Sequence, residues 1–259
     1  MTAAMTPLSL AGKKGLILGL ANEHSIAYGC ALDAIGHGAA LVTSCLNEKA
    51  LRFVEPLAKS LGAPLYPCDV EKPGELQALV EHAVHHLGHL DFVVHSIAWA
   101  PLEDLHSPVI DTSGPGFSRA MQVSCHSFAE LAKLCVPHMP AGGSFVTMSY
   151  QGATQAVPHY GLMGPVKAAL ESLVRYMAVE LGPRRIRVHA VSPGPILTRA
   201  AAGIASFDEL MAHAKREAPL GRLVTLEEIA SLCTFLCGEG SSGMTGQTIY
   251  VDGGCHAVA

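Results

Sequence analysis

The sequence predicts a doubly wound α/β fold, a parallel sheet of about seven strands with helices on both faces. Three observations predict it. Short apolar runs alternate with amphipathic helical stretches from one end of the 259 residues to the other. The runs are continuously apolar, with little alternation, as strands covered on both faces require. No internal repeat, low-complexity tract or linker interrupts them, so residues 1–259 read as one domain, and 49% hydrophobic residues suffice for a large core.

The first strand, 15–21, runs through Gly19 into a helix over 25–36. Glycine at a strand end allows a tight turn, and the following helix N-terminus offers free N–H groups and a positive dipole to phosphate. Ser25 is placed to cap that helix and to donate to a pyrophosphate beside Ile26. The pattern is not G-x-G-x-x-G, and an ordinary strand–loop–helix connection would look the same. The second strand, 40–45, precedes a helix over 48–61. Its end, Thr43-Ser44-Cys45-Leu46-Asn47, supplies neither an acid for a ribose diol nor an arginine for a 2′-phosphate. The third strand, 64–68, ends in Cys68-Asp69-Val70, where an aspartate can accept from an adenine amino group; a helix over 74–87 follows. The fourth, 91–96, ends in Ser96-Ile97-Ala98, small residues that let a nicotinamide ribose approach the backbone. Together these strand ends favour a dinucleotide site.

A helix over 116–136, a strand over 144–149, a helix over 160–181, a strand over 186–192, a helix over 226–236 and a last strand over 248–251 complete the pattern. Two connections, 98–115 and 193–207, are longer than the rest and leave carboxyl ends of strands, so they are expected to frame a substrate pocket.

Composition excludes several classes. A formal net charge of −5 disfavours nonspecific nucleic-acid binding. No apolar stretch approaches the roughly 20 residues of a bilayer span, and residues 1–7 lack the features of a signal peptide; a cytoplasmic protein without membrane contact is expected. The 8 cysteines sit in apolar surroundings without a C-x-x-C pair and read as buried small hydrophobes, including Cys233 and Cys237. His82, His85, His86 and His89 crowd one segment but read as a solvated helix face, not a metal site.

The informative stretch is Met148-Ser149-Tyr150-Gln151-Gly152, followed by Pro158-His159-Tyr160-Gly161-Leu162-Met163-Gly164-Pro165-Val166-Lys167. Ordinary short-chain dehydrogenases carry Tyr-x-x-x-Lys, with a serine thirteen residues before the tyrosine. Counted back from Lys167, those positions hold Met163 and Tyr150, so the usual alcohol-oxidising pair is missing. Tyr160 instead stands seven residues before Lys167, expected two helical turns away on the same face.

This arrangement closely resembles the enoyl-acyl-carrier-protein reductases of bacterial type II fatty-acid synthesis, a divergent branch of the short-chain dehydrogenase/reductase superfamily with a Rossmann-like sheet. That family has Tyr-x6-Lys and a second tyrosine ten residues earlier, matching Tyr150, Tyr160 and Lys167. The resemblance extends through Gly19 to Gly29, Cys68-Asp69-Val70, His95-Ser96-Ile97, Ser192 to Thr198 and Val251-Asp252-Gly253-Gly254. It implies a homotetramer that uses NADH, in preference to NADPH, to reduce the 2,3 double bond of an acyl-carrier-protein-bound enoyl thioester. Tyr160 would donate to the thioester oxygen and Lys167 would hold the nicotinamide ribose; Tyr150 would line the entrance or assist Tyr160. Met163 and Ala100 would lie beside the acyl chain, Ile196 by the carboxamide and Thr198 near the pyrophosphate. Arg199, Lys215, Arg216 and Arg222 could meet an acidic carrier, or serve as ordinary surface charge.

Three positions depart from the family. Ala98 stands where glycine is common, Leu46 where glutamine is frequent, and Trp99 where a smaller aromatic is usual. Two other readings remain compatible with the residues: a related reductase of another activated alkene or a carbonyl, or a dinucleotide-binding protein without catalysis. Met163 in the usual tyrosine position counts against carbonyl chemistry, and Tyr160 with Lys167 counts against the inactive reading.

Overall fold

The computed structural model describes residues 8–198 and 201–258, with Ala202 described by its backbone alone; the readings made above for residues 1–7 and for Arg199 lie outside the described residues. The elements run β1 (Lys14–Leu18), α1 (Ile26–Gly36), β2 (Ala40–Cys45), α2 (Glu48–Leu61), β3 (Leu65–Pro67), α3 (Glu75–Leu87) and β4 (Phe92–His95). They continue with α4 (Leu102–His106), α5 (Gly114–Met121), α6 (Ser127–Cys135), β5 (Gly143–Met148), α7 (Met163–Leu181), β6 (Ile186–Pro193), α8 (Phe207–Glu217), α9 (Leu226–Cys237) and β7 (Gln247–Val251). All seven strands are parallel, in the order β3-β2-β1-β4-β5-β6-β7. The doubly wound fold expected from the apolar runs is the fold observed.

Successive strand residues feed opposite sides of the sheet. Leu16 and Leu18 of β1, Val93 of β4 and Val188 of β6 point into a core covered by α3, α6 and α7. Ile17, Phe92, Val94 and Val191 point into a second core beneath α1, α2 and α9. The apolar runs show no alternation because both faces are dry. Burying each large aliphatic or aromatic side chain contributes roughly 1.5–3 kcal/mol, so the sheet is the most strongly fixed part of the molecule.

Helix ends follow local chemistry. Asn47 accepts from Ala50 N–H to cap α2, and Gly62 closes it in the left-handed region. Thr225 and Glu228 form a capping box at α9. The cysteines are free and buried, as expected. His82, His85 and His86 are exposed and His89 half-buried, and His82 stacks on Tyr66 with centroids 4.4 Å apart.

Two helices differ from expectation. The helix expected over 116–136 is split by a π-turn, Gln122–His126, into α5 and α6. A π-turn holds one residue more than an α-turn, which hydrophobic periodicity alone does not register. The helix expected from 160 begins at Met163, because Pro165 is tolerated only in a first turn and Gly161, at φ 45°, is left-handed. Tyr160 therefore sits in the turn ahead of α7, not on its face. The sequence reading also missed α8, which extends beyond the long connection 193–207.

Candidate active site

The winding of the sheet reverses between β1 and β4, and there a cleft opens outside the carboxyl ends of β1, β4, β5 and β6. It holds about 1110 Å³ of space, open to solvent on one side. Of the residues expected at a site, Gly19, Ser25, Ile26, Ser96, Ile97, Ala98, Ala100, Tyr150, Tyr160, Met163, Lys167, Ile196 and Thr198 line it. Asp69 and Val70 do not. Val70 packs into the core, and Asp69 follows β3, accepting from Glu71 N–H.

At one end the cleft is backbone. Gly19 has φ 102°, and a Cβ there would stand 2.2 Å from the Ser96 carbonyl oxygen, so only glycine lets the end of β1 lie against that of β4. Helix α1 starts beside it with no acidic residue in its first turn. The Ile26 and Ala27 N–H groups have no acceptor among the described residues. Free donors at the positive end of an eleven-residue helix fit an anionic group such as a pyrophosphate. Thr198 accepts from Ala201 N–H, and its hydroxyl proton has no acceptor among the described residues. Ser25 corrects the expectation made for it. It occupies the N-cap position, but its hydroxyl donates to Asn22 O at 2.7 Å and makes no capping bond. The short turn folds back on itself, and the correction concerns the cap alone.

At the other end stand the tyrosines and the lysine. Lys167 projects from the first turns of α7 and is 3% exposed; its Nζ donates to Met148 O at 2.6 Å. Burial draws its pKa down to about 8, opposed by Cys125 and Glu171. Tyr160 is held between His159, at φ 63°, and Gly161, and is 7% exposed. Burial raises its phenol well above the ordinary value, with smaller contributions from Tyr150 and Glu171. The Tyr150 ring lies 4.7 Å away, centroid to centroid, and its phenol is also raised by burial. Both hydroxyls therefore stay protonated at neutral pH and remain donors, and both tyrosines line the cleft.

Several contributors were not visible in the sequence. Gly152 lets the Tyr160 ring in, since a Cβ there would fall 2.4 Å from its Cδ1. Ser124, in the π-turn, donates to Trp99 O at 2.9 Å and accepts from Trp99 N–H at 2.8 Å. The Arg119 guanidinium lies 4.2 Å over the Trp99 ring and is held by two hydrogen bonds to Glu71. Phe207 and Leu210 of α8 also line the cleft. The charge pattern of α8 was a legible signal: Asp208 and Glu209 in its first turn, Lys215 and Arg216 in its last.

The cationic cluster is smaller than its residue count. Arg216 pairs with Glu217 at 2.8 Å, and Arg222 is bidentate to Glu228 at 2.6 and 2.9 Å. Both guanidinium groups are thus partly neutralised within the chain.

This fold and this cleft are those of the short-chain dehydrogenase/reductase class of nicotinamide-dependent oxidoreductases. The family model described as enoyl-(acyl carrier protein) reductase matches residues 19–256. A curated enoyl-[acyl-carrier-protein] reductase [NADH] 2 of Rhizobium meliloti (strain 1021) is 42% identical over 244 residues, 94% of this chain and 91% of the relative. A crystal structure of the Anaplasma phagocytophilum enoyl-(acyl-carrier-protein) reductase in complex with NAD superposes with a TM-score of 0.93, at 40% identity and 96% coverage of each chain. The Bacillus cereus enoyl-acyl carrier protein reductase, solved with NADP+ and an indole naphthyridinone, also gives 0.93, at 36% identity over 96% of this chain and 98% of that one. The chain belongs to the enoyl-acyl-carrier-protein reductase family.

Proposed function

We propose that this protein reduces the 2,3 double bond of enoyl thioesters carried on acyl carrier protein, the last step of the fatty-acid elongation cycle, with NADH as reductant. The carrying observation is that Tyr160 and Lys167 meet in one cleft while Met163 fills the usual tyrosine position. When bound, the reduced nicotinamide supplies a hydride to C3 of the acyl group.

Tyr160 donates a hydrogen bond to the thioester oxygen, where negative charge accumulates as C3 is reduced. Its raised phenol keeps that donor loaded at every physiological pH. Lys167 holds the nicotinamide ribose hydroxyls and adds positive charge beside the developing oxyanion. Ser96, Ile97 and Ala98 offer backbone to that ribose, and Ile196 orients the carboxamide. Gly19, Ile26 and Thr198 receive the pyrophosphate, Ser25 shapes the turn beneath it, and Asp69 with Val70 takes the adenine. Met163 and Ala100 bound the acyl chain, with Tyr150 at its entrance and against Tyr160.

Residues 1–259 act as one domain. Tyr176 and Val179 of α7, 69% and 78% exposed, supply an apolar face for a homotetramer. The carrier meets the α8 side, through Lys215 more than through the paired Arg216 and Arg222. No helix among the described residues is long and apolar enough to cross a membrane, and the cytoplasm is the compartment proposed. The test follows NADH absorbance with a 2-enoyl thioester, for wild type and Tyr160→Phe, and repeats it with NADPH. A rate lower by about 10²-fold in the variant, and lower efficiency with NADPH, are expected; no turnover by wild type refutes the reading.

A further inference from the structure

Glu171 is a buried carboxylate to which the reaction above gives no task. It lies on α7, four residues after Lys167 and so on the same helix face, and is 5% exposed. Its Oε1 accepts from Ser149 Oγ at 2.5 Å, and Ser149, itself 4% exposed, lines the cleft. A carboxylate kept from water needs a cation to compensate it, and an ammonium kept from water needs an anion. Glu171 stands one helical turn beyond Lys167 and opposes the lowering of the lysine, without a direct ion pair between the two.

The other groups around Lys167 bring no charge. Cys125, from the π-turn, has its thiol raised by burial and remains neutral. His95, from β4, is drawn down to about 3 by burial and by Lys167 itself, so its imidazole is neutral. Tyr160, from the preceding turn, and Tyr150 behind it hold their protons. Of the two groups that oppose the desolvation of the ammonium, Cys125 and Glu171, only the glutamate is a carboxylate.

We propose that Glu171, held in place by Ser149, is a positioning residue that acts through Lys167: it is the fixed counter-charge that keeps the lysine an ammonium able to grip the cofactor ribose. The inference rests on the cofactor placement proposed above. A neutral amine offers weaker donors to the ribose hydroxyls than an ammonium does. Wild-type affinity for NADH therefore falls above about pH 8, where Lys167 loses its proton. A carboxylate one helical turn away, at the effective dielectric of a protein interior, accounts for about one pH unit of that position.

The experiment is fluorescence titration of NADH between about pH 6 and pH 9.5 on wild type, Glu171→Gln, Glu171→Asp, Ser149→Ala and Lys167→Met. In Glu171→Gln the alkaline fall begins about one pH unit lower, so binding is ~5–10-fold weaker near pH 8 and within about two-fold of wild type near pH 6. Glu171→Asp, which keeps the charge, restores most of the wild-type profile, Ser149→Ala moves it in the same direction by less, and Lys167→Met has no alkaline fall. A merely structural role would weaken binding equally at every pH. An alkaline fall unmoved in Glu171→Gln, or in Ser149→Ala should the first variant not fold, overturns the proposal. Because the readout is NADH binding, wild-type protein that shows the fall without reducing an enoyl thioester would refute the proposed function and leave this inference standing.

Discussion

Replacing Gly152 by alanine places a methyl carbon 2.4 Å from Cδ1 and 2.7 Å from Cε1 of Tyr160, and 3.3 Å from Cδ1 of Tyr150. Carbon atoms in ordinary contact stand about 3.5 Å apart or more, so the Tyr160 ring must retreat by roughly 1 Å. Gly152 is not in the left-handed region, so alanine meets no backbone strain there and the effect is steric alone. The ring has little room to yield, being 7% exposed and backed by Tyr150. Overpacking of this kind typically lowers stability by about 1–3 kcal/mol, which a well-folded domain survives. The catalytic loss is larger, because a misplacement of about 1 Å in a reacting group is worth on the order of 10²-fold. Lys167 reaches the cleft from α7, independently of this contact, so NADH affinity is expected within about two-fold of wild type. Steady-state turnover of a 2-enoyl thioester, with circular dichroism to confirm folding, measures this. Turnover within about three-fold of wild type in a folded Gly152→Ala protein would refute the view that the Tyr160 ring is held where it acts.

Other substitutions separate the site's parts. Lys167→Met should weaken NADH binding by at least about ten-fold, the loss expected of a charge-assisted donor, while Tyr150→Phe should change turnover least; parallel turnover and cofactor titrations would show whether the two tyrosines have been exchanged. Stability should fall in acid, because His189 and His95, both 0% exposed, are drawn down to about 4 and about 3, chiefly by burial. Burial keeps both imidazoles neutral in the folded state while the unfolded chain takes up protons first, so their contribution is complete above about pH 6.5 and is lost as pH falls toward those values. For His189 the loss approaches roughly 3 kcal/mol by about pH 4. Neither of its ring nitrogens has a hydrogen-bond partner among the described residues, so His189→Leu should flatten the fall of Tm between about pH 6.5 and pH 5; an unchanged slope would count against it. Amide exchange in α8 should slow when cofactor and an acyl mimic bind together, since Phe207 and Leu210 face the cleft; equal protection in free and doubly liganded protein would exclude that closure.

Much of the fold was legible because strand burial is written in composition. Runs such as Leu16-Ile17-Leu18 and Phe92-Val93-Val94 are apolar at every position only when both faces are covered. The start of α7 was not, because periodicity continues smoothly through Tyr160, although Gly161, Gly164 and Pro165 carried the correction. The π-turn could not be read, since one extra residue in a turn leaves no compositional trace. At the site, Tyr160 and Lys167 were legible through the family resemblance that their spacing carries, whereas Gly152, Ser124 and Glu171 matter only through partners distant in sequence. Ser25 shows the reverse: a residue of the right type at the right place whose hydroxyl turns to Asn22.

The placement of Tyr160 in a turn, with Lys167 on the helix behind it, has a geometric meaning for the bond being reduced. In carbonyl reduction the carbon that accepts hydride and the oxygen that accepts the proton are bonded neighbours. In conjugate reduction the charge emerges on an oxygen three bonds from the carbon attacked, so a donor serving it must stand farther from the hydride source. With the roles proposed above, a lysine anchored on α7 and a tyrosine carried on the preceding turn set those two distances separately. Lengthening or shortening that turn would redirect the donor along the substrate without disturbing the grip on the cofactor, which makes residues 157–162 the natural place to retune such a scaffold between alkene and carbonyl substrates.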